Sequence, residues 1–115
     1  MAAARKERVA ENQAMFRVVN ERVNAWPERH AAPPDEALMF YCECADTACF
    51  DRVWLTAAEY EAVRADSDRF AVVAGHVFPE AERVLETHAL YAVVQKHADL
   101  RELLERIDPR KGAYS

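Results

Sequence analysis

The three cysteines of this chain all fall between positions 42 and 49, in the pattern Cys42-x-Cys44-x4-Cys49. Thiols gathered this closely are a donor set for a soft or borderline cation. The segment 37–44 is short, apolar and aromatic, which predicts a strand. Side chains on a strand alternate between faces, so Cys42 and Cys44 project to the same side, close enough to share one ion. The turn predicted over 45–49 brings Cys49 back to the same point. An odd cysteine count argues against a disulfide framework. Ordinary buried cysteines behave as small hydrophobes, and scatter is what that reading expects.

Zinc in structural sites takes four tetrahedral ligands, so a fourth donor has to come from elsewhere in the chain. There are four histidines. His76 follows Gly75 at the end of a predicted strand, where the backbone can turn sharply and present an imidazole. His30 lies in a proline-rich segment, His88 at a predicted hairpin tip, and His97 just before the last helix. His76 is therefore the expected fourth ligand, with Asp46, Asp51 or water as the alternatives. The expected cofactor is Zn2+, held by Cys42, Cys44, Cys49 and His76.

A Cys49–His76 nucleophilic pair is the catalytic rival, but three thiols at one point fit a metal better than a nucleophile. Neither an H-E-x-x-H helix nor the deaminase H-x-E with P-C-x-x-C occurs. Four protein ligands leave no open position for water, so the expectation is a protein that is not an enzyme. Glu59, Glu61, Glu80, Glu82 and Glu86 read as solvated faces rather than paired catalytic carboxylates.

The elements that must position these residues follow from periodicity. Val9, Phe16, Val19, Val23 and Trp26 recur at helical spacing, with Met15 beside them, and Arg8, Glu11, Arg17, Glu21 and Arg22 form the other face. This predicts one helix over 3–26, about 36 Å long, ended by Pro27. Residues 27–36 carry three prolines and read as a linker. A second strand is expected over 52–55, and a capping box, Thr56-x-x-Glu59, opens a helix over 57–65 that buries Tyr60 and Val63. A strand over 69–74 leads to Gly75-His76, and 83–86 with 90–95 read as a hairpin. Asp99 with Glu102 predicts a cap for a last helix whose apolar face is Leu100, Leu103, Leu104 and Ile107.

Composition bounds the rest. The 115 residues suit a single domain, divided as helix 1–26, linker 27–36, zinc-binding core 37–96, and helix and tail 97–115. With 51% hydrophobic residues the chain is too apolar for disorder. Two glycines argue against a phosphate-binding glycine loop. No apolar run approaches ~18 residues, and the start lacks an apolar signal segment, so a soluble cytoplasmic protein is expected. A net charge of −5 disfavours nucleic acid as a partner, although Phe40, Tyr41, Trp54, Tyr60, Phe70 and Tyr91 would suffice for a stacking platform. The long N-terminal helix is the better partner surface, toward another protein or a second subunit. Phe40 shares the face of Cys42 and Cys44, so aromatic screening of the thiols is expected.

The run Phe40-Tyr-Cys-Glu-Cys44, Cys49, Val53-Trp-Leu-Thr56, Glu59-Tyr60-Glu61, Val63-Arg64, Arg69-Phe70, Gly75-His76 and Pro79-Glu80 is similar to a family of small, poorly characterised actinobacterial proteins. The family pattern is F-x-C-E-C-x4-C, then L-T-x-x-E-Y-E-x-V-R, then R-F-x-V-x-x-G-H-x-x-P-E. The resemblance covers about residues 40 to 96. It implies a Cys3His-type metal site with His76 at the Gly-His position, and no established activity. Ala74 departs from it, standing before the glycine where proline is expected.

The expected architecture is α+β: a small, mostly antiparallel sheet pinned by a zinc knuckle, with a long N-terminal and a short C-terminal helix. The expected function is a non-enzymatic zinc-binding regulatory or protein-interaction protein. The rivals are a thiol-based redox or metal sensor using the same cysteines, and a nucleic-acid-binding module.

Overall fold

A computed structural model describes residues 2–111. It is α+β, with helix α1 (Ala2–Asn24), a helical turn α2 (Pro27–His30), strands β1 (Leu38–Tyr41) and β2 (Arg52–Leu55), and helix α3 (Ala57–Arg64). Strands β3 (Arg69–Val72), β4 (Glu82–Thr87) and β5 (Ala92–Lys96), a 3-10 turn (Ala98–Leu100), helix α4 (Arg101–Arg106) and a 3-10 turn (Pro109–Lys111) complete it. Every strand pairing is antiparallel, but the strands form two sheets, β1–β2 and β3–β5–β4. The backbone bridges them twice. The Glu43 amide donates to the Ala71 carbonyl at 2.9 Å, and the Trp54 amide to Leu90 at 3.3 Å.

Local signals place most of these elements. The capping box forms: Thr56 Oγ1 accepts from the Glu59 amide at 3.1 Å, and Glu59 Oε1 accepts from the Thr56 amide at 2.8 Å. The hairpin β4–β5 forms with a register shift between Val84 and Glu86. Three expectations need correction. The linker is partly helical, because Pro27 sits at the first position of α2, where its missing N–H is no loss. Strand β3 ends at Val72 rather than at 74. Asp99 does not cap α4: its carboxylate lies 3.3 Å from Lys6 Nζ, and the chain enters α4 through the 3-10 turn after His97. The expected tail over 112–115 lies outside the described residues.

Helix α1 departs furthest from its periodicity. Met15 is 54% exposed and Val19 41%, and Trp26, beyond the helix end at Asn24, is 58% exposed, while Arg17 of the expected polar face is fully buried, as are Gln13 and Asn20. Each buried polar group reaches a partner that no hydrocarbon could satisfy. Asn20 accepts from the Tyr41 amide and donates to the Tyr41 carbonyl, both at 2.8 Å, so its amide covers the free edge of β1 as a strand would. Arg17 donates to the Ser67 carbonyl and stacks over the Phe70 ring, 4.7 Å from its centroid. Gln13 Nε2 donates to Glu82 Oε1 at 3.0 Å, and that oxygen lies 2.6 Å from the buried Lys96 Nζ.

Two apolar clusters carry the core. One joins Val9, Ala10 and Ala14 of α1 to Cys42, Cys44, Phe70, Val72, Val94 and Leu104. The other joins Phe40, Val53, Leu55, Tyr60 and Val63, with the rings of Phe40 and Tyr60 stacked at 4.3 Å. A buried ionic network closes the far side, where Arg64 lies 2.6 Å from both Glu21 Oε1 and Asp108 Oδ1, and Ser67 Oγ donates to Asp108 at 2.7 Å.

These contacts predict which face of α1 matters. Asn20→Ala strands the Tyr41 backbone pair and a Glu43 oxygen, and should cost about 3 kcal/mol in urea denaturation, whereas Val19→Ala should stay within about 0.5 kcal/mol. Asp108 gives a pH signature. Burial alone raises its pKa, but the bonds from Arg64, Ser67 and the Arg110 amide outweigh it and hold the carboxyl at about 2. An unfolded Asp titrates near about 3.9. The folded value is the lower one, so this stabilisation is fully present above about pH 4 and disappears as pH falls toward 2, a loss of roughly 2 kcal/mol. Asp108→Asn should lower stability at neutral pH and flatten the acid limb of stability against pH.

Candidate metal centre

The ligand atoms of Cys42, Cys44, Cys49 and His76 all lie within 4.8 Å of one another. His76 Nδ1 is 3.6 Å from Cys42 Sγ and 3.7 Å from Cys49 Sγ. With Zn–S near 2.3 Å and Zn–N near 2.05 Å, a tetrahedron places sulfur and nitrogen about 3.5 Å apart. The donor set therefore has the right chemistry and spacing for one tetrahedral cation.

Two arms build it. The first is the chain leaving β1. Strand pairing persists to Cys42, whose amide donates to the Asp51 carbonyl at 2.9 Å. Alternation then continues beyond the strand's end: Cys42 and Cys44 face His76 while Glu43 turns the other way. Asp46 makes the return, accepting from the Ala48 amide on Oδ1 at 2.9 Å and from the Cys49 amide on its carbonyl at 3.0 Å. The second arm is the turn Val73-Ala74-Gly75-His76, closed by a 2.9 Å bond from the His76 amide to the Val73 carbonyl. Gly75 has φ +93°, the left-handed value a type II turn requires at its third position. A Cβ there would meet nothing within 4 Å, so the demand for glycine is conformational rather than steric. Ala74 occupies the second position, where proline suits such a turn.

The sulfurs are surrounded by donors. The Val73 amide donates to Cys42 Sγ at 3.2 Å, and the amides of Asp46 and Asp51 serve Cys44 and Cys49. Amide donors favour the thiolate over the thiol. Cys44 carries the negative charge most readily: the bond from the Cys42 thiol pulls its pKa down to about 5, against the burial that would raise it. The same bond, together with burial, drives Cys42 far up, and burial raises Cys49. Three thiolates this close repel, and a divalent cation at their centre removes that penalty.

Exposure is uneven. Cys42 and Cys44 are each 1% exposed and belong to the main core, whereas Cys49 is half-buried and the His76 side chain is 33% exposed. The expected screen of aromatic rings is absent from where it was placed. Phe40 packs in the other apolar cluster, against Tyr60, and Phe50 is 75% exposed. Val73, Val77 and Phe78 pack on the thiol-bearing cluster instead.

The other histidines stand apart. His88 stacks on Tyr91 at 4.3 Å and lies 2.8 Å from Glu86, His97 precedes the 3-10 turn, and His30 is exposed at the end of α2. Of the alternative ligands, Asp46 shapes the loop, and Asp51 lies 3.6 Å from His76 Nε2, on the side of the ring away from the thiols. Sequence reasoning missed the two residues that support the site from behind. Glu43 accepts from Asn20 Nδ2 at 2.8 Å and from the Ala71 amide at 2.9 Å. Strand alternation signals Glu43, since a residue between two inward cysteines faces oppositely. Nothing local signals Asn20.

Gly75→Ala forces a side chain into the left-handed region and should cost about 1–2 kcal/mol, read as a lower melting temperature. The Cβ itself has room, so the fold should survive with the imidazole displaced from the thiols. Comparison with protein-family models, with curated proteins and with solved structures gave no match, so a functional reading rests on the chain's own geometry.

Proposed function

We propose that this chain is a non-enzymatic, zinc-binding regulatory or protein-interaction protein of the cytoplasm, with Cys42, Cys44, Cys49 and His76 as the four ligands of a structural Zn2+. The observation that carries this reading is the convergence of three sulfurs and one imidazole nitrogen within 4.8 Å. Thiolate-rich tetrahedral sites select zinc over hard cations, and iron–sulfur clusters ordinarily ask for four thiolates. A site filled by four protein groups has no position for substrate or water, which supports a structural role over catalysis.

Bound zinc would tie the β1–β2 loop to the turn after β3, linking the two sheets at a point where two of the ligands already lie in the core. The interaction half of the reading rests on α1, whose exposed apolar face is free to receive another protein. Among the described residues, no helix is long and apolar enough to cross a membrane. Of the aromatics in the nucleic-acid reading, Phe40, Tyr60 and Phe70 are fully buried and Tyr91 is 6% exposed, which leaves only the half-buried Tyr41 and Trp54, 43% exposed.

The thiol-sensor reading has one observation in its favour, the exposed edge at Cys49 and His76. Oxidation begins at accessible thiolates, and Cys44 and Cys42 lie close enough to Cys49 to resolve it.

Protein purified without chelator should carry one zinc per chain. Its removal, and Cys44→Ser, should each lower the melting temperature markedly, because a structural metal contributes folding free energy directly. Equal melting curves with and without zinc would overturn the structural role. Slow zinc release under mild peroxide, followed with a zinc indicator, supports the structural reading. Rapid stoichiometric release reversed by a thiol reductant would replace it with the sensor.

A further inference from the structure

The outward side of α1 presents Glu11, Met15, Val18, Val19 and Arg22, which line one shallow groove with Ile107 and the edge of the buried Ala14. Met15 is 54% and Val19 41% exposed, and Glu11 and Arg22 are exposed at the two ends. Among the described residues neither Glu11 nor Arg22 forms an ion pair, whereas Glu21 on the same helix pairs with Arg64 and Arg110. The apolar centre is thus flanked by two opposite charges with no partner within the chain.

The spacing of the stripe makes it complementary to itself. Positions 11 and 22, and 15 and 18, are each symmetric about the midpoint between residues 16 and 17. At 100° per residue these four lie within one narrow sector of the helix. If a second α1 is laid antiparallel across that midpoint on a two-fold axis, Glu11 meets Arg22 of the second copy at both ends, about 16 Å apart. Met15 then meets Val18 at the centre, at an ordinary helix separation of about 8–10 Å. A parallel arrangement would set Glu11 against Glu11 and Arg22 against Arg22.

We propose that the chain forms a two-fold symmetric dimer through antiparallel packing of α1 on α1, with Met15 and Val18 at the centre and reciprocal Glu11–Arg22 pairs at the ends. This rests on the interaction half of the function proposed above and names its partner as a second copy of the chain. The stripe is small beside a standard interface, so the dimer is reversible and concentration-dependent.

Sedimentation velocity of the zinc-loaded chain from micromolar to millimolar concentration tests it. The wild type should pass from monomer to dimer. Arg22→Glu and Glu11→Arg should each weaken association about tenfold, since each replaces two attractive pairs with two repulsive ones. The double variant Glu11→Arg/Arg22→Glu should recover it, and Met15→Glu should abolish it. These side chains are exposed, so melting temperature and zinc content should be unchanged in every variant, which separates lost association from lost folding. A monomer at all concentrations, a dimer indifferent to both single variants, or a double variant no better than the singles would overturn the proposal. A chain that dimerises in this pattern without stoichiometric zinc would overturn the metal reading and leave the dimer standing.

Discussion

The carboxylate of Glu43 is the point on which the rest of the structure depends. It is completely buried, and burial pushes its pKa up. A buried carboxylate is tolerable only where donors meet it. Here Asn20 donates to one oxygen and the Ala71 amide to the other, while the Glu43 amide donates back to the Ala71 carbonyl. One residue thus fixes α1, the chain leaving β1, and the edge of β3 to one another. Since it stands between Cys42 and Cys44, satisfying it also aims both sulfurs at His76. The site and the helix docking are two sides of one extended segment.

This explains why α1 packs through buried polar side chains as well as through Val9, Ala10 and Ala14. A hydrophobic stripe on a helix has no preferred register against a sheet, whereas Gln13, Arg17 and Asn20 each have one geometry in which their partners are satisfied. Buried polar networks of this kind are weak contributors to net stability and expensive to break. They make the position of α1 specific, and they free Met15, Val18 and Val19 to face outward. The same logic holds at the far end, where Arg64 joins α1, through Glu21, to the segment after α4, through Asp108.

The four donors stand at a boundary. Cys42 and Cys44 belong to the core, so their positions are set by folding whether or not an ion is bound. Cys49 and His76 are carried on two short turns, shaped by Asp46 and Gly75. An ion bound at this point would join a buried half to a partly exposed half and hold the two turns against the core.

The donor set was legible in the sequence because its signals are local. Thiols separated by one residue on an extended segment face the same way, and a glycine before a histidine marks a turn. The capping box at Thr56, the strands and the hairpin were legible for the same reason, each depending on residues within a few positions of one another. What the tertiary structure decided was orientation and shielding. Helical periodicity ranks residues by their own hydrophobicity, and it put Arg17 in solvent and Val19 in the core. The fold reverses both, because Ser67, Tyr41 and Glu43, all distant in sequence, offer α1 polar partners, and Phe70 offers a ring on which Arg17 stacks. Alternation assigned Phe40 to the face of the cysteines, but the chain passes from one sheet to the edge of the other at Glu43. Phe40 therefore packs on Tyr60, and the thiols lie in a different cluster. A residue's neighbours along the chain determine its conformation. What it is buried against depends on which distant groups can satisfy its polar atoms, and only the assembled fold brings those groups together.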